Sequence, residues 1–123
     1  MGNRYLWCLL LMAVSCAGYA YSGNDVVNDC PIALESEKAS TPQNLLNGVH
    51  CGGYVAGLND MAVWFMQVFK IQAYCIPATG LEIGQTIRVY LKWLNDHPEA
   101  LHEPARSLFM NAMHDAFPCK AND

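Results

Sequence analysis

The sequence predicts an all-α fold, a small disulfide-stapled helical domain of about four helices. Apolar residues recur at helical spacing through the longer segments, and no stretch alternates with period two for long enough to argue a sheet. Four cysteines, Cys30, Cys51, Cys75 and Cys119, remain once an evident export signal is set aside, an even count that fits staples in an oxidising compartment.

The first helix is expected to start at Gly23-Asn24-Asp25, with Asn24 or Asp25 as N-cap and Val26, Val27 and Cys30 behind it, and to end at Pro31. A polar loop follows up to Pro42. The longest helical segment is 43–69, whose wide apolar face includes Leu46, Val49, Met61, Trp64 and Phe65 and whose one formal charge is Asp60. A transmembrane reading of that helix meets Gly53-x-x-x-Gly57 in its favour. Against it stand His50, Asn59, Asp60 and Gln67, since a mid-membrane aspartate costs about 2.5 kcal/mol or more. A central core helix wrapped by the others is the preferred reading, with the glycines admitting a close backbone. After a connector over 71–80, Ile83, Ile87, Tyr90, Leu91 and Leu94 mark one face of a helix at 82–96. Pro98 suits the first turn of the next helix, Pro104 breaks it early, and Leu108, Phe109, Ala112 and Met113 continue a core stripe until Pro118.

Residues 1–20 read as a secretory signal: Arg4 in the n-region, an apolar run from Tyr5 to Val14, and Gly18-Tyr19-Ala20 as the cleavage site. The run is too short for a spanning helix, which needs roughly 20 residues, so no membrane attachment is expected after its removal. Ala13-Val14-Ser15-Cys16 loosely resembles a lipobox, which makes a lipid on Cys16 the second choice. Cleavage after Ala20 leaves one helical domain at 21–123 in the periplasm and moves the formal charge from −4 to −5. That mild acidity gives no electrostatic reason to bind nucleic acid.

Four cysteines allow three connectivities. Helices 82–96 and 99–117, joined by a short turn, should pack antiparallel, which brings Cys75 near Cys119 and leaves Cys30 to face Cys51 across the 31–42 loop. In the loop-entropy model those bridges constrain the unfolded chain by about 4.0 and about 3.4 kcal/mol respectively. A zinc site is the rival use of the cysteines, but no Cys-x-x-Cys pair is present.

No nucleophile elbow, zinc-protease helix, phosphate loop or haem motif occurs. No catalytic residue, cofactor or metal is therefore expected. His97 and His102 beside Glu99 and Glu103 read as solvent-facing and capping groups, and Met113 near His114 reads as core filler. Asp60 on its apolar helix must be exposed, paired or hydrogen-bonded. A structural partnership with Arg88 or Arg106 is the expectation, and no acid sits at local helical spacing to make a catalytic pair.

Several segments together resemble the Rap/Tai immunity proteins. These are Cys51-Gly52-Gly53-Tyr54-Val55-Ala56-Gly57-Leu58-Asn59-Asp60, Cys75-Ile76-Pro77, Gly84-Gln85 entering Val89-Tyr90-Leu91, His97-Pro98-Glu99, Leu101-His102, and Ala116-Phe117-Pro118-Cys119. The resemblance implies an exported, helical, disulfide-bonded protein that binds and occludes a peptidoglycan amidase toxin delivered by type VI secretion, often as a homodimer. Cys51, Tyr54, Gly57, Asp60, Cys75, Pro77, Gln85, Pro98, Phe117, Pro118 and Cys119 carry over as scaffold; toxin-contacting residues do not. The loops at 31–42 and 70–81 are the surfaces expected to reach a cleft. The alternative is a general periplasmic stress or acid-chaperone-like helical protein without a dedicated toxin, whose four histidines and eleven acids would titrate on acidification.

Overall fold

A computed structural model describes residues 20–119. The signal segment, Cys16 and its lipidation lie outside the described residues, apart from Ala20. Among the described residues four α-helices occur in the order α1 (Gly23–Leu34), α2 (Pro42–Phe69), α3 (Ile83–Asp96) and α4 (Ala105–Ala116), with single 3-10 turns at Ser36–Lys38 and Pro98–Ala100. The all-α expectation is met.

Helix α1 is capped by Ser22, not by Asn24 or Asp25. The Asp25 backbone N–H donates to Ser22 Oγ at 3.4 Å, while the Ser22 backbone N–H donates to Asp25 Oδ2 at 2.8 Å, a reciprocal capping box. Pro31 does not end α1 but lies inside it. A proline this near the C-terminus removes only the bond to Val27, and packing against α2 holds the last turn despite that loss. The closeness of that packing is fixed by Gly48, where an added Cβ would sit 3.2 Å from Ile32 Cγ2 and 3.3 Å from the Ala33 nitrogen.

The start of α1 is clipped to the turn between α3 and α4. Gly23 N–H donates to the Glu103 carbonyl at 3.1 Å, Asn24 N–H to Leu101 at 2.9 Å, and Ala105 N–H to Tyr21 at 2.8 Å. Gly23 is needed here, because a Cβ would meet Leu108 Cδ1 at 2.7 Å and Leu101 backbone atoms at 3.0 Å.

The core is formed where α1, α3 and α4 converge: Val26, Tyr90, Leu94, Leu108, Phe109 and Met113 are fully buried. Tyr90 meets Phe109 edge to face with ring centroids 5.5 Å apart and donates its hydroxyl hydrogen to the Ala105 carbonyl at 2.6 Å. Trp93 Nε1 donates to Asp115 Oδ2 at 2.8 Å, tying α3 to α4 at the surface. Both staples form as expected, Cys30–Cys51 fully buried between α1 and α2, and Cys75–Cys119 half-buried.

Helix α2 departs most from expectation. It is not a central helix wrapped by the others: only Gly48, Cys51, Val55 and Ala62 are buried along its 28 residues. Its mean apolarity hid the asymmetry, because apolar residues surround the whole helix and periodicity then gives no direction to the core. Nor do its central glycines admit a backbone from the described residues, among which a Cβ at Gly52, Gly53 or Gly57 would meet nothing within 4 Å.

Candidate functional site

Two surfaces stand out, one a loop and one a helix face. The 70–82 segment leaves α2 through Lys70, whose φ of 56° places it in the left-handed region and turns the chain sharply. The segment is then anchored twice at Cys75, by its disulfide to Cys119 and by its N–H donating to the Phe117 carbonyl at 2.8 Å. Beyond that anchor a tight turn over 77–80 is closed by Gly80 N–H donating to the Pro77 carbonyl at 2.8 Å. Gly80 has a φ of 78° that a side chain would strain, and Pro77, Ala78, Thr79 and Gly80 are all exposed. The result is an exposed, pre-shaped tip on a fixed base.

A cleft of about 570 Å³ lies between this segment and the end of α2, lined by Val63, Met66, Lys70, Gln72, Tyr74 and Ile76, among others. Tyr74 is buried, and among the described residues its hydroxyl has no hydrogen-bond partner. Burial raises its pKa. An adjoining groove of about 400 Å³ is apolar, with Leu58, Met61, Phe65, Ile71 and Met110 in its wall and Arg106 at α4.

The second surface is the outer side of α2. Leu46, Val49, Met61, Trp64 and Val68 are 51–66 % exposed. At the helix's inner edge an aromatic cluster joins it to α1: Tyr21 meets His50 and Tyr54 edge-on, each at 4.8 Å, and donates its hydroxyl hydrogen to Asp29 Oδ2 at 2.8 Å. Desolvation first, then the Asp29 carboxylate, push the Tyr21 pKa far up. Tyr54 is raised by burial, against which the Arg106 guanidinium and backbone N–H act.

Of the residues singled out from the sequence, Cys75, Pro77, Phe117, Pro118 and Cys119 come together around the base of the 77–80 turn, while Tyr54, Gly57 and Asp60 are on α2 and Gln85 and Pro98 are exposed elsewhere. Asp60 is exposed and has no ion pair among the described residues, so neither Arg88 nor Arg106 is its partner; an exposed carboxylate is paid for by water and needs none. His97 Nδ1 donates to the Trp93 carbonyl at 2.8 Å, and the imidazole stacks on the Trp93 ring at 4.0 Å. Among the described residues no group of three or more His, Cys, Asp or Glu side chains is placed to hold a metal, and no helix is long and apolar enough to cross a membrane. Sequence reasoning missed Ser22 and Tyr21. The Ser-x-x-Asp spacing could have revealed the first, whereas no sequence signal pairs Tyr21 with Asp29.

Rigid helices, two staples and exposed segments at both ends of a long helix define a small binding scaffold. The chain belongs to the Rap1a immunity proteins, whose family model matches residues 22–119. No curated protein matches it. Membership implies an immunity role in type VI secretion.

Proposed function

We propose that this protein is exported to the periplasm, loses its signal segment after Ala20, and there binds and occludes a peptidoglycan amidase toxin delivered by type VI secretion. Family membership over residues 22–119 carries the immunity role, and the resemblance of the cysteine and glycine motifs points to an amidase as the toxin. The feature that supports occlusion is the 77–80 turn. A tip closed by its own hydrogen bond and anchored by a disulfide enters a cleft with little conformational entropy left to lose. The 35–41 segment, where Lys38 Nζ pairs with Glu35 Oε1 at 2.8 Å, is the second exposed element at the α2 ends. No step of chemistry is required of the chain itself.

The test is a binding and inhibition series on the tip. Ala78→Trp and Thr79→Arg place bulk or charge on exposed atoms, so the melting temperature should stay unchanged. Inhibition of the amidase should weaken by about tenfold or more, as expected for a residue near the centre of an interface. Unchanged inhibition in both variants would remove the tip from the interface. The exposed apolar side of α2 is the one observation that favours the chaperone-like alternative, which predicts capture of unfolded clients on acidification in place of a dedicated toxin.

A further inference from the structure

The apolar groove of about 400 Å³ between α2 and α4 takes no part in occlusion by the tip, and its wall has a chemistry of its own. Met61, Phe65 and Met66 of α2, Ile71 of the following segment and Met110 of α4 give it an apolar lining. Its polar side chains are Arg106 and Ser107, neighbours in the first turn of α4. Among the described residues no aspartate or glutamate lines it. Such a wall selects an occupant that is apolar along its length and polar at one end.

We propose that the groove binds a free single-chain amphiphile with an anionic head, of the medium-chain carboxylate class, its tail along the methionine wall and its carboxylate at Arg106. The charge of the wall is the first reason. Arg106 lies near the Tyr54 hydroxyl, yet among the described residues its guanidinium has no ion pair. The chain has eleven acids against seven lysines and arginines, so an internal partner was not lacking for want of carboxylates. An open guanidinium is a planar, two-pronged donor that matches a carboxylate in shape as well as in charge.

The start of α4 is the second. The helix begins behind Pro104 with no side-chain cap and no acid in its first turn. A cation there has the disfavoured sign for a helix N-terminus, and an anion held beside Arg106 reverses that. Ser107 adds a hydroxyl donor at the same end. Methionine is the third reason. Three of the six methionines in the chain, Met61, Met66 and Met110, line this one groove. Flexible, polarizable thioethers adapt to a bending alkyl chain better than branched side chains do. Size sets the length of the tail. At roughly 30 Å³ per heavy atom, the share of one water in its liquid, about 400 Å³ holds on the order of a dozen heavy atoms, the size of decanoate.

Other occupants fit less well. A cationic amphiphile would bring its head against Arg106. A bilayer surface selects a cluster of Lys and Arg around an apolar face, and this groove has one cation. A protein segment would carry its own amide groups into a wall whose polar side chains are Arg106 and Ser107 alone, and an amide buried without a partner is costly. An alkyl chain carries no such groups.

Methyl NMR of the mature protein labelled at methionine, titrated with sodium decanoate below its micelle concentration, tests the site. The Met61, Met66 and Met110 methyl signals should move together and saturate, while that of Met113, fully buried in the core, stays in place. Octanoate should bind about tenfold more weakly, because two fewer methylenes leave water. Arg106→Gln and Met61→Asp change exposed side chains. Each should weaken decanoate binding by at least about tenfold with the melting temperature unchanged. No saturable movement, equal binding of decanoate and decyltrimethylammonium, or indifference to both variants overturns the proposal. So does movement of Met113 with the rest, which reports a core loosened by detergent. Binding to anionic vesicles, or loss of amidase inhibition in Arg106→Gln, without decanoate binding also overturns it and gives the groove to a membrane or to the toxin. Because no toxin enters the titration, its failure is distinguishable from failure of the amidase reading.

Discussion

A Cβ at Gly23 would sit 3.0 Å from Leu101 backbone atoms, and one at Gly48 3.3 Å from the backbone of Ala33. Neither neighbour can give way without moving α1, so Gly23→Ala and Gly48→Ala should each destabilise by about 1–3 kcal/mol in denaturant titrations. Gly53→Ala meets no atom and should stabilise the monomer by about 0.5–1 kcal/mol through helix propensity alone. The sequence could not separate these glycines, because which of them face a neighbour depends on long-range packing. Tyrosines govern the alkaline limit. Burial raises the pKa values of Tyr21, Tyr54, Tyr74 and Tyr90 above the ordinary tyrosine value of 10.0. Folded-state pKa values above the unfolded ones mean that this stability is fully present below about pH 10 and is lost as pH rises toward the folded values. Unfolding free energy should accordingly be level up to that point and fall beyond it. Phenolate absorbance should appear together with loss of helicity; its appearance in a still-folded protein would contradict the burial of these hydroxyls.

Helices α3 and α4 were legible because their apolar residues form one-sided stripes; α3 starts one residue after its expected bound, whereas α4 starts at Ala105, six residues after the expected 99, because Pro104 leaves Pro98–Ala100 as a separate 3-10 turn. Helix α1 ran past Pro31 because tertiary contacts outweighed the lost hydrogen bond, an effect no local rule contains. Helix α2 was correctly bounded and wrongly placed, since an apolar residue on every side says how much can be buried but not where. The staples connect these elements and differ in access: Cys30 and Cys51 are fully buried, while Cys75 and Cys119 are half-buried. Graded reduction followed by alkylation and mass spectrometry should label Cys75 and Cys119 first, leaving Cys30 and Cys51 protected. Replacing both Cys75 and Cys119 by serine should cost up to about 4.0 kcal/mol in the loop-entropy model. It should also loosen the 77–80 turn enough to reduce toxin binding. Equal labelling of all four cysteines would remove the distinction.

For the molecule as a whole, the fold class, both staples and the family were readable, because they rest on residue types at fixed spacing. The binding surfaces were readable only as segments. That the 77–80 turn has a fixed base depends on the Cys75 bond to Phe117, far along the chain, and that one side of α2 is bare depends on where three other helices stop. Such facts belong to the assembled chain. The immunity role is tested most directly by mixing the purified protein with purified type VI peptidoglycan amidases and following cleavage of cell-wall peptides. At least one amidase should lose activity in proportion to added protein up to stoichiometric equivalence, and Thr79→Arg should restore that activity. Full activity of every amidase tested in the presence of excess protein, together with no protection of cells that export them, would contradict it.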